Sequence, residues 1–525
     1  MNLIIALDSG TSVVKAVAFE TGGAQVGVAA RPNAYDLLPG GGAEQDMART
    51  WTDACAVLRE LRADLAARLP DAAIVALAVT AQGDGSWLVD TDGEPVGPGW
   101  IWLDARGASI VDELRASGAA QAAFAYTGTG LAACQSVTQL IWRERHAAAH
   151  VARAAYTLHP KDFLYLRLTG TAATSPDEGT FTFGDFRTRG YRDEVLSALG
   201  IAHMARLLPP IVDGTRASHP LTVRAAEMTG LPQGLPVVLG YVDVVCSTLG
   251  AGIYGGEDGG VTIIGSTGMH IRLVSDTAHV TPSPLGTGYC MAFPVPHHTI
   301  QCQSNMASTL NVDWIANLAI EAAAMASGGY VSRETILAAL NDGVASARPG
   351  AIVYHPFIST AGERGPFTDA FARAGLFGLD QNVRLMDLAR GIYEGLCFAA
   401  RDCYVAIGGA PAQIRVTGGG AKSRILRQIL SSVLDRPVRT AAHEEAGAAG
   451  AAMIAAVQQG VFSDMAACAA TWVAPRPATT VTPDPALVDL YGRLFPVYRD
   501  AYHAMPAIWR QFHAAHVPDP ESLHV

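Results

Sequence analysis

Short apolar runs broken by small polar residues open the chain. Leu3 to Leu7 predicts a buried strand, Asp8 to Thr11 a turn, and the alternation of Val13 to Phe19 a second strand. Thr21-Gly22-Gly23 predicts another turn before a third strand over Gln25 to Ala30, so the chain begins as an antiparallel meander. The period then changes. Trp51, Ala54, Leu58, Leu61, Leu65 and Leu69 fall on one helical face. Ala73 to Val79 is strand-like and ends in a polar loop, Thr80 to Gly85. Pro236 to Leu239 is a further buried strand and ends in Gly240-Tyr-Val-Asp243. Ligand groups gather at such carboxyl ends in α/β sheets.

The later part of the chain echoes the opening. Gly260 to Val274 repeats strand, turn and strand around Ile264-Gly-Ser-Thr-Gly268, the trace a duplicated fold leaves. Arg384 to Ile407 predicts a long helix, with Asp380 to Asn382 as its cap. Gln413 to Thr417 reads as a strand that stops at Gly418, Gly419 and Gly420, and Ser423 to Leu434 as the helix that follows. Ala446 to Val457 reads as a tightly packed core helix, too short to span a bilayer. Pro485 to His516 looks helical, interrupted by Pro496 and Pro506. Strands alternating with helices predict an α/β fold.

Composition sharpens this picture. The 525 residues are too many for one ordinary domain, and 50% of them are hydrophobic, enough for a large core. Gly250 to Gly260 is rich in glycine and short of apolar side chains, so we place the boundary there and expect domains 1–248 and 249–525. A net charge of −11 without any Lys/Arg stripe argues against nucleic acid or another large polyanion as partner. The 8 cysteines are scattered, with no Cys-x-x-Cys pair, which predicts free thiols in a reducing cytoplasm. Met1 to Phe19 contains Asp8 and Lys15 but no basic leader, so neither a signal peptide nor a membrane partner is expected.

Three turns hold candidate chemistry. Asp8-Ser-Gly-Thr11 can set backbone N–H groups and a hydroxyl against phosphate, with its acid toward a hydrated Mg²⁺; it can equally be an ordinary hairpin turn. Gly265-Ser-Thr-Gly268 offers the same donors without the acid. Gly418 to Gly420 would let backbone approach a ligand without a Cβ in the way, or serve packing alone. Asp243 is either the N-cap of the helix that starts at Val244 or an acid in use. Gln82-Gly83-Asp84 and Trp102-Leu-Asp104-Ala-Arg106 could hold a polyhydroxylated molecule, whose vicinal hydroxyls need donors and acceptors. Asp104 with Arg106, and Lys161 with Asp162, look more like structural ion pairs. Gly362-Glu-Arg-Gly-Pro366 reads as a surface loop that serves folding.

In order and spacing these motifs resemble the FGGY carbohydrate kinases over nearly the whole chain. The motifs are Asp8 to Thr11 with Lys15, the Gln82 loop, Trp102 to Arg106 and Lys161 to Gly170. They continue with Gly240 to Asp243, Gly265 to Gly268, Gly362 to Pro366, Gly418 to Ser423 and Glu444 to Gly450. The resemblance implies two actin-like, ribonuclease-H-like ATPase domains with ATP and sugar in the cleft between them. It implies Asp243 as the general base and Asp8 as the acid linked to Mg²⁺. It implies phosphate and ATP contacts at Thr11, Ser12, Gly265, Thr267, Gly268 and Gly418, Gly419, Gly420 and Ala421. It implies substrate contacts at Gln82, Gly83, Asp84 and Asp243, and leaves room for a homodimer.

Xylulose kinases have Met-His, and glycerol kinases Arg-Glu, where this chain has Gly83-Asp84. Gly42 to Asp46, Ala81 to Gly85, Glu178 to Phe183 and Gly240 to Cys246 are most similar to the erythritol-phosphorylating members of the family. The implied acceptor is a small sugar alcohol. The rival readings are a ketopentose kinase of the same family and a non-catalytic, nucleotide-dependent binding protein. Gly83 would remove bulk from the acceptor subsite. Asp84, an acceptor when ionised, suits a hydroxyl better than a carbonyl.

Overall fold

The computed structural model describes residues 1–516 except 256, 257, 328, 330 and 477. Two of the excepted residues fall in the glycine-rich boundary segment, and the last nine residues of the expected second domain also lie outside the described chain.

β1 (Asn2–Ser9), β2 (Val13–Glu20) and β3 (Gln25–Pro32) form the expected meander, with Asp8 paired to Lys15 across it. β4 (Ala73–Ala81) joins parallel to β1 and sets Asp8 beside Thr80. β5 (His219–Pro220) and β6 (Pro236–Leu239) complete a six-stranded sheet in the order β5-β6-β4-β1-β2-β3. β6 is parallel to β4, with Leu239 beside Val79. The carboxyl ends of β1, β4 and β6 therefore share one sheet edge, and the loops from all three point to one place.

The second sheet repeats this plan. It comprises β7 (Gly259–Ile264), β8 (Gly268–Val274), β9 (Tyr289–Ala292), β10 (Thr299–Asn305), β11 (Gln413–Thr417), β12 (Val438–Thr440) and β13 (Thr480–Val481). Its order is β9-β10-β8-β7-β11-β12-β13. Without β9, which adds an edge strand, this matches the first sheet strand for strand. β7 and β11 run parallel, with Ile263 beside Thr417, so the turns after them meet at one edge too. The duplication read from Gly260 to Val274 is real.

Helices cover the sheets. α1 (Met47–Arg68) starts on Asp46, whose carboxylate accepts from the N–H groups of Ala48 (2.9 Å) and Arg49 (3.1 Å). It buries Trp51, Ala54, Leu58, Leu61 and Leu65 as its periodicity predicts. α2 (Pro160–Thr169) and α3 (Pro176–Phe183) follow, and α4 (Asp243–Ala251) leaves β6. The expected cut after residue 248 falls inside α4.

α5 (Leu385–Ala406) is not capped by Asp380 to Asn382. Asp387, one turn in, accepts from the Arg384 N–H (3.1 Å), while Asp380 closes a local turn onto Asn382 N (2.7 Å). α6 (Arg424–Leu434) and α7 (Ala446–Gln458) lie where the pattern put them. α8 (Pro485–His503) runs through Pro496, contrary to expectation, and only Pro506 starts a new helix, α9 (Pro506–His516). The carbonyl that loses its donor at Pro496 belongs to Gly492, which is exposed and open to water.

α4 and α7 occupy equivalent places, one after β6 and the other after β12, and they cross. A Cβ on Gly250 would lie 2.0 Å from the Ala446 carbonyl oxygen, and one on Gly450 1.9 Å from that of Cys246. Only glycine permits this approach. The core around the crossing is continuous from Ile4 and Ala76 of the first sheet to Val261 and Ile271 of the second. Among the described residues, no helix is long and apolar enough to cross a membrane.

Candidate active site

The loops from both sheets line one cavity of about 290 Å³. Thr11, Gln82, Gly83, Asp84, Trp102 and Asp243 line it from the first half, and Gly265, Thr267, Tyr289 and Arg364 from the second.

Asp84 and Asp243 are the acids of its first-half wall, and Asp8 stands near Asp243 but outside the lining. Asp243 is the first residue of α4, and Val242 rather than Asp243 is the N-cap, so the capping alternative is set aside. Burial pushes its carboxyl well above the usual carboxylate range, and the Asp8 charge adds to that shift. The Val244 N–H opposes it, while Glu178 and Asp84 add smaller upward pushes. Burial also raises Asp8, to about 6, against the pull of Lys15. Lys15 is in turn paired with Glu445 (2.7 Å). α7 passes so close that a Cβ on Gly447 would sit 2.9 Å from Asp8 Oδ2 and 3.4 Å from Ser247 Oγ. Burial disfavours both anions, with a further push on Asp243 from Asp8 and on Asp8 from Glu445, and two such neighbouring carboxylates suit a divalent cation.

The hydroxyl of Thr11 is already engaged. It donates to Gln82 Oε1 (2.6 Å) and accepts from the indole N–H of Trp102 (2.7 Å). Gln82 donates onward to Gln45 Oε1 (2.7 Å). Ser12 is exposed and outside the cavity lining, its carbonyl taken by the Asn33 N–H (2.8 Å). Gly268 begins β8 beside His270 and Asn305, also off the cavity wall.

Gly418 to Ala421 lies at the end of β11, beside Ile264. A Cβ on Gly418 would meet the Ile264 carbonyl oxygen at 2.6 Å, and one on Gly420 would meet Ile264 Cγ2 at 2.4 Å. Gly418 also has φ of +89°. Both positions need glycine for packing. A Cβ on Gly419 would meet nothing within 4 Å, so that glycine presents a bare, open backbone. Packing therefore accounts for Gly418 and Gly420 but not for Gly419.

Asp84 is 8% exposed with φ of +58°. Its Oδ2 accepts from the Tyr289 hydroxyl (2.8 Å) and from the Cys134 thiol (3.6 Å). Its Oδ1 is buried without a hydrogen-bond partner among the described residues. Burial raises the Asp84 carboxyl, against the hydrogen bond from Tyr289 and the Arg364 charge. Gly83 does not leave empty space as expected. A Cβ there would lie 2.6 Å from Val242 Cγ2, so Val242 already fills the room.

The Gly362 to Pro366 segment is not the surface loop the sequence suggested. Glu363 is buried and accepts from the N–H groups of Met306 (2.9 Å) and Arg364 (2.9 Å). A Cβ on Gly365 would lie 2.5 Å from the Ser304 carbonyl oxygen. The segment is pinned against β10 and turns Arg364 into the cavity. The available signal was a Glu-Arg pair between glycines: two charges in a stretch whose backbone had to pass close to something.

Behind the cavity, Lys161 Nζ bridges Asp162 Oδ1 (2.5 Å) and Glu178 Oε2 (2.5 Å). His159, Asp162 and Glu178 lie close enough to share a cation, and the Lys161 ammonium already fills that role. Next to them, Asp177 accepts from the Val242 N–H (2.8 Å) and so holds the peptide just before Asp243. The Lys161–Asp162 pair is structural as expected, and so is Asp104–Arg106 (2.6 Å).

Two duplicated α/β halves with facing strand ends around one cavity form the actin-like, ribonuclease-H-like ATPase fold. The chain belongs to the FGGY family of carbohydrate kinases, whose N-terminal domain model matches residues 3–250 and whose C-terminal domain model matches residues 260–459. It is 47% identical over 511 residues to an erythritol kinase of Brucella abortus, covering 97% of each chain. It is 27% identical to an L-xylulose/3-keto-L-gulonate kinase of Escherichia coli over 97% of this chain and 98% of that one. Among solved structures, a xylulose kinase of Rhodospirillum rubrum superposes with a TM-score of 0.84 at 28% identity, over 97% of this chain and 100% of that one. Kinases of this family use ATP and a divalent metal ion, with a sugar or polyol as acceptor.

Proposed function

We propose that this chain transfers the γ-phosphoryl group of ATP to a terminal hydroxyl of a small sugar alcohol, namely erythritol, with Mg²⁺ as the metal ion. The observation that carries the reading is Asp84 Oδ1, a buried acceptor without a partner on the wall of the cavity that also holds Asp243. An unsatisfied carboxylate oxygen is matched by a hydroxyl, which donates, and mismatched by a ketone oxygen, which cannot. The 47% identity to an erythritol kinase points the same way.

In this reading residues 1–248 bind the acceptor and residues 249–525 bind ATP. Asp243 orients the acceptor hydroxyl and takes its proton as the new bond forms. Gln82, Gly83 and Asp84 hold the remaining hydroxyls. Thr11 and Ser12 belong to the first phosphate-facing turn. In the second half the Gly265 to Gly268 turn faces the phosphates through the Thr267 hydroxyl, with the Gly265 N–H closing the turn onto the Thr267 carbonyl (3.1 Å), and Gly418 to Ala421 flank the adenosine. Asp8, with Asp243 beside it, would hold Mg²⁺ through water. Bound there, the ion neutralises charge on the phosphate oxygens. The eight buried, unpaired thiols suit work in a reducing cytoplasm.

The test is ADP release with a panel of C3 to C6 polyols and ketoses at fixed ATP. Erythritol is expected to exceed xylulose and ribulose by about 10- to 100-fold in kcat/KM, the size of one buried mismatch. A preference for either ketose over every polyol would overturn the acceptor and favour a ketopentose kinase.

A further inference from the structure

Arg364 was read from the sequence as part of a folding loop, yet its side chain stands between two cavities. One is the 290 Å³ cavity that contains Asp243; the other, of about 450 Å³, lies between the halves and is lined by Arg115, Ala133 and Phe371 among others. Trp102, Tyr289 and Arg364 line both, so these three side chains form the partition. The guanidinium lies over the Trp102 ring, 5.3 Å from its centre, and its Nε donates to Ser304 Oγ (2.7 Å). No carboxylate among the described residues comes within ion-pair distance of it. The Tyr289 hydroxyl donates to Asp84 Oδ2 (2.8 Å), which brings Asp84 to the same partition with Oδ1 left over.

We propose that Arg364 is the chain-length stop of the acceptor subsite. Its guanidinium and Asp84 Oδ1 take the hydroxyl at the end of the acceptor remote from Asp243 and close off the 450 Å³ chamber. A hydroxyl both accepts and donates, so it satisfies a guanidinium and a carboxylate oxygen together. A chain one carbon longer meets the Arg364–Trp102 stack, and a shorter one leaves the Asp84 oxygen unpaired. The proposal rests on the polyol reading of the site.

The experiment uses the full chain with Arg364→Ala and Arg364→Lys, assayed with glycerol, erythritol, xylitol, ribitol and sorbitol at saturating ATP. For Arg364→Ala, KM for erythritol is expected to rise about 10- to 100-fold, the range for losing a charge-assisted hydrogen bond. The KM for ATP should hold, and the pentitol-to-erythritol ratio of kcat/KM should rise about tenfold or more. Arg364→Lys keeps a charge but loses the plane over Trp102, and should move the ratio the same way by less. An unchanged length ratio in either variant that folds, or a parallel fall in kcat for every acceptor, overturns the proposal. If the native enzyme prefers ketoses, the polyol reading fails. The same length ratio, measured on erythrulose, xylulose and fructose, then decides the role of Arg364 on its own.

Discussion

The two halves share a strand order and place their turns at the same sheet edge, but they furnish those turns with opposite chemistry. The first half sets three acids there: Asp8 near the end of β1, Asp84 after β4 and Asp243 after β6. The second half sets glycines and hydroxyls there: Gly265 and Thr267 after β7, and Gly418 to Gly420 after β11. Acids suit cations and protons, while bare N–H groups suit phosphate oxygens. One duplicated scaffold thus carries an acid-bearing side and a glycine-and-hydroxyl side, which the proposed function uses for acceptor with metal and for nucleotide. The tie between the halves is symmetric, since α4 and α7 cross at Gly250 and Gly450.

The contrast is broken most severely at Asp243. Asp243→Asn keeps the shape of the first residue of α4 and removes the proton acceptor. Turnover is expected to fall by roughly 10²–10⁴-fold, with binding of ATP little changed. Val242 is the N-cap of α4, and the asparagine side-chain oxygen can still accept from the Val244 N–H, so the replacement should not fray the helix. Near-normal kcat at saturating acceptor would show that the acid-rich side does not supply the base.

A smaller effect is expected on the nucleotide side. Gly419 is the one glycine of its triplet that packing does not require, since a Cβ there meets nothing within 4 Å. Gly419→Val should therefore leave thermal stability almost untouched and raise KM for ATP about tenfold. KM for the polyol should stay in place. If the polyol KM moves and the ATP KM does not, the division between the halves is reversed. Gly418→Val and Gly420→Val are poor substitutes as probes, because both would clash with Ile264 first.

Much of this arrangement was legible because it is local. The short apolar runs of β1 and β7 and the alternation of β2 announce themselves, and each turn interrupts a strand at a place the sequence shows. The convergence of Asp8, Asp84 and Asp243 was not local. It depends on β4 lying between β1 and β6, a parallel pairing over long separations that no window of residues displays. The resemblance to a known family stood in for that information. Errors came where a residue's meaning lay in its partner. Gly83 looked like vacant space because Val242, which fills it, is far away in sequence. Arg364 looked exposed because Glu363, Met306 and Ser304 pin its loop inward. Asp387 takes the place expected of Asp380 at the start of α5 because the N-cap is Arg384, too far downstream for Asp380, whose carboxylate closes a turn onto Asn382.

The mildest test converts the acid-bearing turn to the neutral kind found in the second half, through Asp8→Asn, and reads stability instead of rate. Burial raises the Asp8 carboxyl from the ordinary 3.8 to about 6. A folded carboxyl that holds its proton more tightly than the unfolded one favours folding at low pH. That contribution is complete below about pH 4 and is lost as pH rises through about 6. Above that, the Asp8 charge opposes folding by about 1–3 kcal/mol, moderated by Lys15. Asparagine fills nearly the same volume and does not ionise. With metal chelated, the variant should therefore melt a few degrees above the native protein at pH 8, and the gap should close near pH 4.5. Added Mg²⁺ should raise the native melting temperature at pH 8 and raise that of the variant less, because the ion needs the charge that the empty protein resists. A gap that stays flat with pH, or an equal Mg²⁺ shift in both proteins, would mean that Asp8 is neither strained as an anion nor linked to the metal. The chemical contrast between the two halves would then rest on Asp84 and Asp243 alone.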